Sequence, residues 1–385
     1  MDGLIPQGRS YRAFPLPILA NIPVDPDADS AQLATPELHP LNDWSELAAR
    51  CKAPPFLHPG WVNHWWPAFG TGKLEINTIW RQEKLAALLP MARRPGQLES
   101  TANFHTPVSG MLALDETAAQ SLARDLFARA PARVTLTALA PDGLTLPACR
   151  SAAKDAGFRV ISRPHLESPY ADLSGGWEVY RRSRSRQLMR NMRRGRKQLE
   201  QMGALRVEKV DGCRPFGEER LEQAFRVEAS GWKGKNGSAI QSQPHTLKFY
   251  RCMTAWAAQQ GVLRLYLLRL DQHVVAMCLT LQQHGVCYML KGGYDEEFRR
   301  SSPGHLLTEA ILEDCASREM RRVEMNGEPE AYKLSWATGT DQYLRLEAFA
   351  PTAAGQLAWA RFRYGRPITR RARQLLRMQQ PGHRQ

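Results

Sequence analysis

The sequence predicts an α/β protein with two lobes, in which mixed β-sheets are flanked by helices. Three observations support this fold class. The chain has 385 residues, more than one typical domain. Segments with the alternating apolar pattern of strands are interleaved with segments of helical periodicity along the chain. A strongly basic segment near residue 190 separates the two halves.

Changes in composition divide the chain into five regions. Residues 1–41 are rich in proline and show little periodicity, which predicts an extended, mobile arm. The other regions are a first lobe at 42–175, a basic linker helix at 176–203, a second lobe at 204–350 and a basic helical tail at 351–385. Within the first lobe, Pro59 begins a helix whose tryptophans (Trp61, Trp65, Trp66) are predicted to be core residues.

The positive charge is localised. The formal net charge is +14, and the segments 181–200 and 361–385 contribute +8 each, which leaves the rest of the chain near −2. Such localisation favours a polyanionic partner over a generally basic protein.

The linker helix is predicted to be amphipathic. Its apolar stripe is Leu188, Met192, Gly195, Leu199 and Met202, which must dock on protein. The opposite side carries basic residues that are predicted to bind an anion: Arg186, Arg190, Arg193, Arg194 and Lys197. Nucleic acid, anionic lipid, sugar phosphate and the phosphates of a nucleotide cofactor all fit such a face, and so does simple solvation.

Seven scattered cysteines without a Cys-x-x-Cys pair argue against a disulfide framework and a structural zinc site. Cys278, Cys287 and Cys315 lie in apolar segments and are predicted to be buried free thiols. No segment approaches the length of a membrane-spanning helix, and the N-terminus lacks the pattern of a secretion signal. We therefore expect a cytoplasmic chain without a bound metal.

The stretch from Val286 to Trp336 carries the candidate chemistry. A strand (286–290) leads through a predicted turn at Gly292 and Gly293 to a helix that begins at Pro303, and a second strand (322–326) follows. Small residues at a strand-to-helix junction free backbone N–H groups, and the helix N-terminus adds positive potential, so this junction suits a phosphate. The pair Tyr332-Lys333 follows the second strand. The same pattern also fits an ordinary β-α-β connection.

The second lobe resembles the GNAT N-acetyltransferases in its element order, β-α-α-β-β-β-α-β-α-β. The sequence is also similar to a branch of that fold, the CelD/BcsL-type acyltransferases of cellulose and exopolysaccharide biosynthesis, which are related to the FemAB-type transferases. The residues that carry the resemblance are the basic segment 186–203, 261–268, 293–295, 302–304 and 332–337. The resemblance implies a tandem GNAT-like fold whose first lobe is a degenerate repeat.

The resemblance also implies roles for individual residues. The implied general acid is Tyr332, Glu324 and Glu328 are candidate bases, and Lys333 is a candidate phosphate or carboxylate ligand. Either glutamate could equally be a surface or salt-bridged carboxylate. Acyl-CoA, with acetyl-CoA as the first candidate, would be held by Leu290, Gly292, Gly293, Arg300, Ser302, Pro303, Gly304 and His305. The acceptor would be held by the linker arginines with Trp232 and Trp336.

One motif departs from the family. The acyl-CoA signature Arg/Gln-x-x-Gly-x-Gly/Ala, aligned on Gly304, meets Ser301 and Leu306, so only one of its three positions fits. The resulting expectation is a transferase that moves an acyl group from acyl-CoA to an amine or hydroxyl of a polysaccharide or cell-envelope precursor, or of another anionic acceptor. Acyl carrier protein remains open as donor, and the basic segments allow peripheral membrane contact. A FemAB-like aminoacyl-tRNA-dependent ligase and a non-catalytic accessory of a polysaccharide synthase are the alternatives.

Overall fold

The computed structural model describes residues 14–15, 39–212, 218–231, 237 and 239–365. Most of the predicted arm, Trp232 and the tail beyond residue 365 lie outside the described residues. The first helix begins at His39, three residues before the predicted start of the first lobe. Within these ranges no helix is both long and apolar enough to cross a membrane.

The first half of the chain places two helices ahead of a run of strands. Strand β1 (Phe14–Pro15), helices α1 (His39–Arg50) and α2 (Pro59–Phe69), and strands β2 (Lys73–Arg81), β3 (Lys84–Arg94), β4 (Gln97–Ser100) and β5 (Leu112–Ala113) come first. Helix α3 (Glu116–Ala128), strand β6 (Arg133–Leu139), helix α4 (Thr145–Asp155) and strand β7 (Arg159–Asp172) follow. Trp61 and Trp65 of α2 are buried, as predicted.

The predicted single linker helix is two helices, α5 (Gly176–Arg182) and α6 (Arg186–Glu200). The second half then contains β8 (Leu205–Asp211), α7 (Glu218–Ser230), α8 (Pro244–Gln259), β9 (Leu263–Leu270), β10 (His273–Gln283), β11 (Val286–Tyr294), α9 (Pro303–Ser317), β12 (Arg322–Glu324), α10 (Ala331–Trp336) and β13 (Gly339–Phe349). Helix α11 (Ala353–Ala360) closes the described part.

All of these strands belong to one mixed sheet. Its order is β1-β2-β3-β4-β6-β13-β7-β12-β11-β10-β9-β8, and β5 pairs with β3. Each half contains one parallel pair, β4 with β6 and β11 with β12. The final strand of each half then pairs with the other half, because β7 lies beside β12 and β13 lies beside β6. The two halves therefore exchange their last strands, and β7 and β13 join them at the centre of the sheet.

Helices cover both faces of the sheet in a pattern that repeats between the halves. On one face, α1, α2, α7 and α8 share a single core that includes Trp44, Trp61, Phe225 and Phe249. On the other face, α3 and α4 pack on the first half, while α5, α6 and α9 pack on the second. Cys278, Cys287 and Cys315 lie in this last core as buried thiols, which confirms their predicted state.

A close contact between α7 and β11 makes one glycine necessary. A Cβ at Gly293 would lie 2.6 Å from the Cα of Glu228, a backbone atom of α7. At the neighbouring Gly292 the nearest atom would be the Met277 carbonyl oxygen at 3.6 Å, an ordinary contact. Gly293 therefore sets how closely α7 packs on the sheet.

We expect Gly293→Ala to lower the free energy of unfolding by about 1–3 kcal/mol, because the added methyl group forces backbone apart. Gly292→Ala, the matched control in the same strand, is expected to change it by less than about 0.5 kcal/mol. Urea unfolding followed by circular dichroism measures both. Equal destabilisation by the two changes would contradict the close packing at Gly293.

Candidate active site

A gap opens in the sheet between β11 and β12. The two strands pair in parallel over only three positions, from Val286 beside Arg322 to Tyr288 beside Glu324. Beyond Glu324 the chain turns to β7, where the Met325 N–H donates to the Pro169 carbonyl. The side-chain amide of Asn326 donates to the Met289 carbonyl over 3.1 Å and closes the narrow end. Among the described strands, none continues the pairing with β11 on this side beyond Tyr288.

The open edge of β11 carries a β-bulge. Leu279 of β10 lies opposite Lys291 and Thr280 lies opposite Met289, so Leu290 is the extra residue. A bulge leaves its residue unpaired and redirects the backbone, which is common next to active sites. The predicted turn at Gly292 and Gly293 is wrong, because both residues continue β11 and pair with β10. They extend the edge that a ligand in the gap would meet.

The start of α9 forms an anion-binding geometry. A 3-10 turn over Glu296–Ser301 leads to Ser302, whose φ of 52° is left-handed, and Pro303 is the first residue of α9. The N–H groups of His305 and Leu306 donate to the Ser302 carbonyl, and among the described residues no side chain caps this helix. Because Gly304 has no side chain, the Tyr294 ring packs closely against it: a Cβ at Gly304 would lie 3.3 Å from that ring. A phosphate would meet the Gly304 N–H and the positive end of the helix.

Arg300 is exposed beside this junction, so it can supply charge to an anion without rearrangement. Gly195 of α6 packs against this junction. A Cβ at Gly195 would be 2.3 Å from the Ser301 carbonyl oxygen. The basic helix therefore supports the loop from which α9 begins.

Tyr332 lies in the first turn of α10 and is 50 % exposed. Partial burial, followed by the neighbouring Glu330 carboxylate, raises the pKa of its phenol above the usual 10. The Cys278 thiol, opposite Gly292 in the sheet, acts in the same direction. The Tyr332 phenol is therefore protonated at neutral pH and available as a proton donor.

A buried hydrogen bond fixes the tautomer of His305. The Trp336 indole donates its Nε1–H to His305 Nδ1 over 2.9 Å, which leaves the proton of the neutral ring on Nε2. Burial lowers the pKa of His305, so the neutral form is favoured. The Tyr332 ring meets this imidazole edge-on, with centroids 6.3 Å apart. Trp336 is only 1 % exposed and positions His305, and its expected contact with the acceptor stays a prediction.

Lys333 has a structural role. Its buried ammonium donates to the carbonyls of Asn326 at 2.7 Å and Glu328 at 3.2 Å, and it pairs with the Glu330 carboxylate at 3.1 Å. Asn326 and Gly327 have φ values of 50° and 70°, and Lys333 holds this left-handed turn in place. These contacts show Lys333 in a structural role, and its expected role as a phosphate ligand or catalytic group stays a prediction. The side chain of Glu328 is exposed at the surface.

Glu324 is the buried carboxylate of the site, at 5 % exposure. Arg322 Nε donates to its Oε1 over 2.5 Å, while Oε2 has no hydrogen-bond partner among the described residues. Burial raises the pKa of Glu324 to about 7, and Arg322 only partly opposes that rise. Burial also raises the pKa values of Tyr288 and Tyr343, and the Glu324 charge adds to both rises.

Glu324 and Tyr332 approach the gap from opposite faces of the sheet. Val323 packs into the core beneath α9, so its neighbour Glu324 points to the face covered by α1, α2, α7 and α8. Tyr332 lies with His305 and Trp336 on the α9 face. A group in the gap would therefore have a basic carboxylate on one side and a phenol on the other.

The linker arginines are exposed, as expected, and so are Lys197 and Met202. Met202 is 60 % exposed, so the predicted apolar stripe ends at Leu199. These charges lie on α6, behind the anion-binding junction, and the structure does not bring them to Glu324.

The sequence analysis missed Tyr288, Tyr343 and Asn326. The sequence pattern could have identified Tyr288, because alternation along β11 puts residues 286 and 288 on the same face of the sheet. It could not have identified Tyr343, because that residue comes from the exchanged strand β13.

The equivalent gap in the first half is filled by its own chain. Beyond the parallel pairing of β4 and β6, the Ser100 hydroxyl accepts a hydrogen bond from the Thr137 N–H at 3.1 Å. The Ser109 N–H then donates to the Ala138 carbonyl at 2.9 Å, and Ser109 bridges to Leu139 in parallel. The segment around Ser109 thus takes the place that remains open beside β11.

Residues 186–334, from α6 to α10, match the family model described as "Acetyltransferase (GNAT) domain". This range contains β11, β12, the start of α9 and Tyr332. No curated protein sequence is similar enough to the chain to count as a relative.

Three solved structures share the overall fold. FemX is 12 % identical with a TM-score of 0.55, covering 81 % of this chain and 97 % of its own. The C-terminal domain of a putative lysylphosphatidylglycerol synthetase from Agrobacterium fabrum is 11 % identical with a TM-score of 0.53, covering 83 % and 94 %. A protein of unknown function from Bacteroides thetaiotaomicron VPI-5482 is 11 % identical with a TM-score of 0.52, covering 80 % and 97 %. At these identities the likeness concerns the fold alone. The chain therefore has a mixed α/β, GNAT-like fold, in which residues 186–334 match the model of the GNAT acetyltransferase domain.

Proposed function

We propose that the protein transfers an acyl group from acyl-CoA to an amine or hydroxyl of an anionic acceptor. The observation that carries this proposal is the gap beside β11, with Glu324 on one face of the sheet and Tyr332 on the other. The family match over the same residues supports it. Acetyl is the first candidate for the acyl group.

The donor side of the gap fits an acyl-CoA. The pantetheine arm would extend along β11 beyond Tyr288, where the pairing with β12 stops and the Leu290 bulge redirects the backbone, towards Gly292 and Gly293. The pyrophosphate would bind at Ser302 and Gly304, at the positive end of α9, with Arg300 nearby. The small residues along this path leave room for the cofactor backbone.

The chemistry follows from the two titratable groups. The acceptor nitrogen or oxygen attacks the thioester carbonyl, and Glu324 takes its proton directly or through water. A base with a pKa of about 7 is suited to this at neutral pH. The bulge at Leu290 supplies a backbone N–H donor for the oxyanion. As the C–S bond breaks, Tyr332 donates its proton to the leaving thiolate, and CoA leaves as a thiol.

A FemAB-like aminoacyl-tRNA-dependent reaction is the second candidate. The exposed arginines of α6 favour it, since a polyanion as large as tRNA would engage several at once. FemX and the Agrobacterium domain share the fold without fixing the donor. A polysaccharide or cell-envelope precursor is the acceptor that we propose for either donor, on the resemblance to the CelD/BcsL branch.

Ligand-induced stabilisation separates the donors. Acetyl-CoA at 100 times its Kd is expected to add about 2.7 kcal/mol to the free energy of unfolding. Gly304→Asp is expected to abolish that gain, because it places a negative charge where the pyrophosphate binds. Thermal unfolding with acetyl-CoA, longer acyl-CoAs, CoA and bulk tRNA measures this. Stabilisation by tRNA alone would favour the second candidate, and none by any ligand would favour an accessory role.

Tyr332→Phe tests the general acid. We expect it to lower kcat by about 10²- to 10⁴-fold, because the thiolate then leaves unprotonated. Stabilisation by CoA should be unchanged, since the phenyl ring remains in place. Release of free thiol in the presence of acceptor candidates measures turnover. Tyr364→Phe, at an exposed tyrosine outside the domain, is the control, and unchanged turnover in Tyr332→Phe would refute the assigned role.

The raised pKa of Glu324 makes stability depend on pH. A carboxyl whose pKa is higher in the folded state than its ordinary 4.5 stabilises the fold fully below that value and loses this contribution as the pH rises through about 7. Glu324→Gln cannot ionise, so between pH 5 and pH 8 it should gain about 2–3 kcal/mol relative to the wild type. Urea unfolding at both pH values measures the difference. Glu328→Gln is the matched control, and an equal gain there would argue against Glu324 as the source.

A further inference from the structure

A cavity of about 260 Å³ lies between α5, α6 and α9, apart from the gap beside β11. Its α9 wall is formed by Glu309 and Glu313, one and two turns beyond His305 along the helix. Neither Tyr332 nor Glu324 lines it. The cavity is therefore a separate feature of the α9 face.

The charges that line the cavity balance. Three are guanidinium groups and three are carboxylates: Arg181, Arg193, Arg196, Glu178, Glu309 and Glu313. Arg196 and Glu309 form an ion pair at 3.5 Å. The other four form no ion pair within 4.0 Å of any described residue, although both signs border the same space. These four groups are exposed at the rim of the half-open cavity, so a ligand that carries both charges would complement it.

The rest of the wall is apolar. Trp177, Met189 and the buried Met192 provide it, and the Trp177 ring stacks on Tyr180 with centroids 5.9 Å apart. This stacking fixes Trp177 as a flat, rigid surface. The volume lies just below the roughly 300 Å³ at which sites for drug-sized ligands begin, so the occupant must be small.

We propose that this cavity binds a small zwitterion with an apolar side chain, of the class of free amino acids. The ligand carboxylate would pair with Arg181 and Arg193, and its ammonium with Glu178 and Glu313. Its side chain would lie against Trp177 and the two methionines. This assignment uses none of the groups around the gap, and it shares only Arg193 with the linker arginines considered above for an acceptor or tRNA.

Isothermal titration calorimetry with L-leucine tests the site. Two matched probes, 4-methylpentanoate and 3-methylbutylamine, keep the side chain but carry only one of the two charges. We expect L-leucine to bind at least about tenfold more tightly than either, because each single-charge probe leaves one cavity pair unmatched. Equal binding of the three probes, or no heat from L-leucine at millimolar concentration, would overturn the proposal.

Charge removal should reverse the preference. Arg193→Gln leaves the cavity with net negative charge, so it should weaken L-leucine and favour 3-methylbutylamine. Glu313→Gln leaves net positive charge and should favour 4-methylpentanoate. Arg182→Gln and Glu200→Gln, exposed neighbours outside the cavity, should bind all three probes as the wild type does. Thermal unfolding confirms that each variant folds, and a loss of binding in the two control variants as large as in the cavity variants would contradict the assignment.

Discussion

The exchange of the last strands between the two halves is the constraint on which the active-site geometry depends. Strand β12 has only three residues, too few to hold a position at a sheet edge. It is held because β11 pairs with one side and β7, from the first half, pairs with the other. Since β12 ends at Glu324, one wall of the gap in the second half exists only through a strand of the first half.

The same exchange sets the electrostatics of Glu324. Its partner Arg322 also pairs with Asp341 of β13 at 2.5 Å and stacks on the Tyr170 ring of β7 at 3.6 Å. One guanidinium thus serves two carboxylates, while the sheet and the shared helix core keep water away from Glu324. The ion pair with Arg322 alone would lower the pKa of Glu324. Burial has the larger effect, so the pKa rises to about 7.

The two halves show what distinguishes an open gap from a closed one. Both contain a parallel pair that ends early, followed by a strand from the other half. In the first half, Ser100 and Ser109 satisfy the free backbone groups of β6, so the sheet continues across the break. In the second half the Asn326 side chain bridges the break at its narrow end. No described strand continues the sheet beyond this bridge, and the proposed site lies there.

Local periodicity was sufficient to predict most elements, since strand β6 and helix α2 depend on patterns within a few residues. It failed where a distant contact decides the conformation. Two adjacent glycines are typical of a turn, yet Gly292 and Gly293 belong to β11. The glycine at 293 is explained by a distant contact, because α7 passes too close to leave room for a side chain there. Strand β7 continues through Pro164 and Pro169, which normally end a strand, because β13 pairs along its whole length.

The candidate site shows the same distinction between local patterns and distant contacts. The role proposed for Tyr332 comes from the resemblance to the GNAT fold, whereas the junction at Pro303 could be proposed from residue type and order, because a helix N-terminus acts locally. The roles of Lys333 and Trp336 could not, since one depends on carbonyls in a left-handed turn and the other on an imidazole 31 residues away. A lysine beside a tyrosine carries the same sequence signal whether it binds a phosphate or holds a turn. Burial of its ammonium against two carbonyls favours the second role, because a lysine that already donates to its own backbone has few donors left for a ligand.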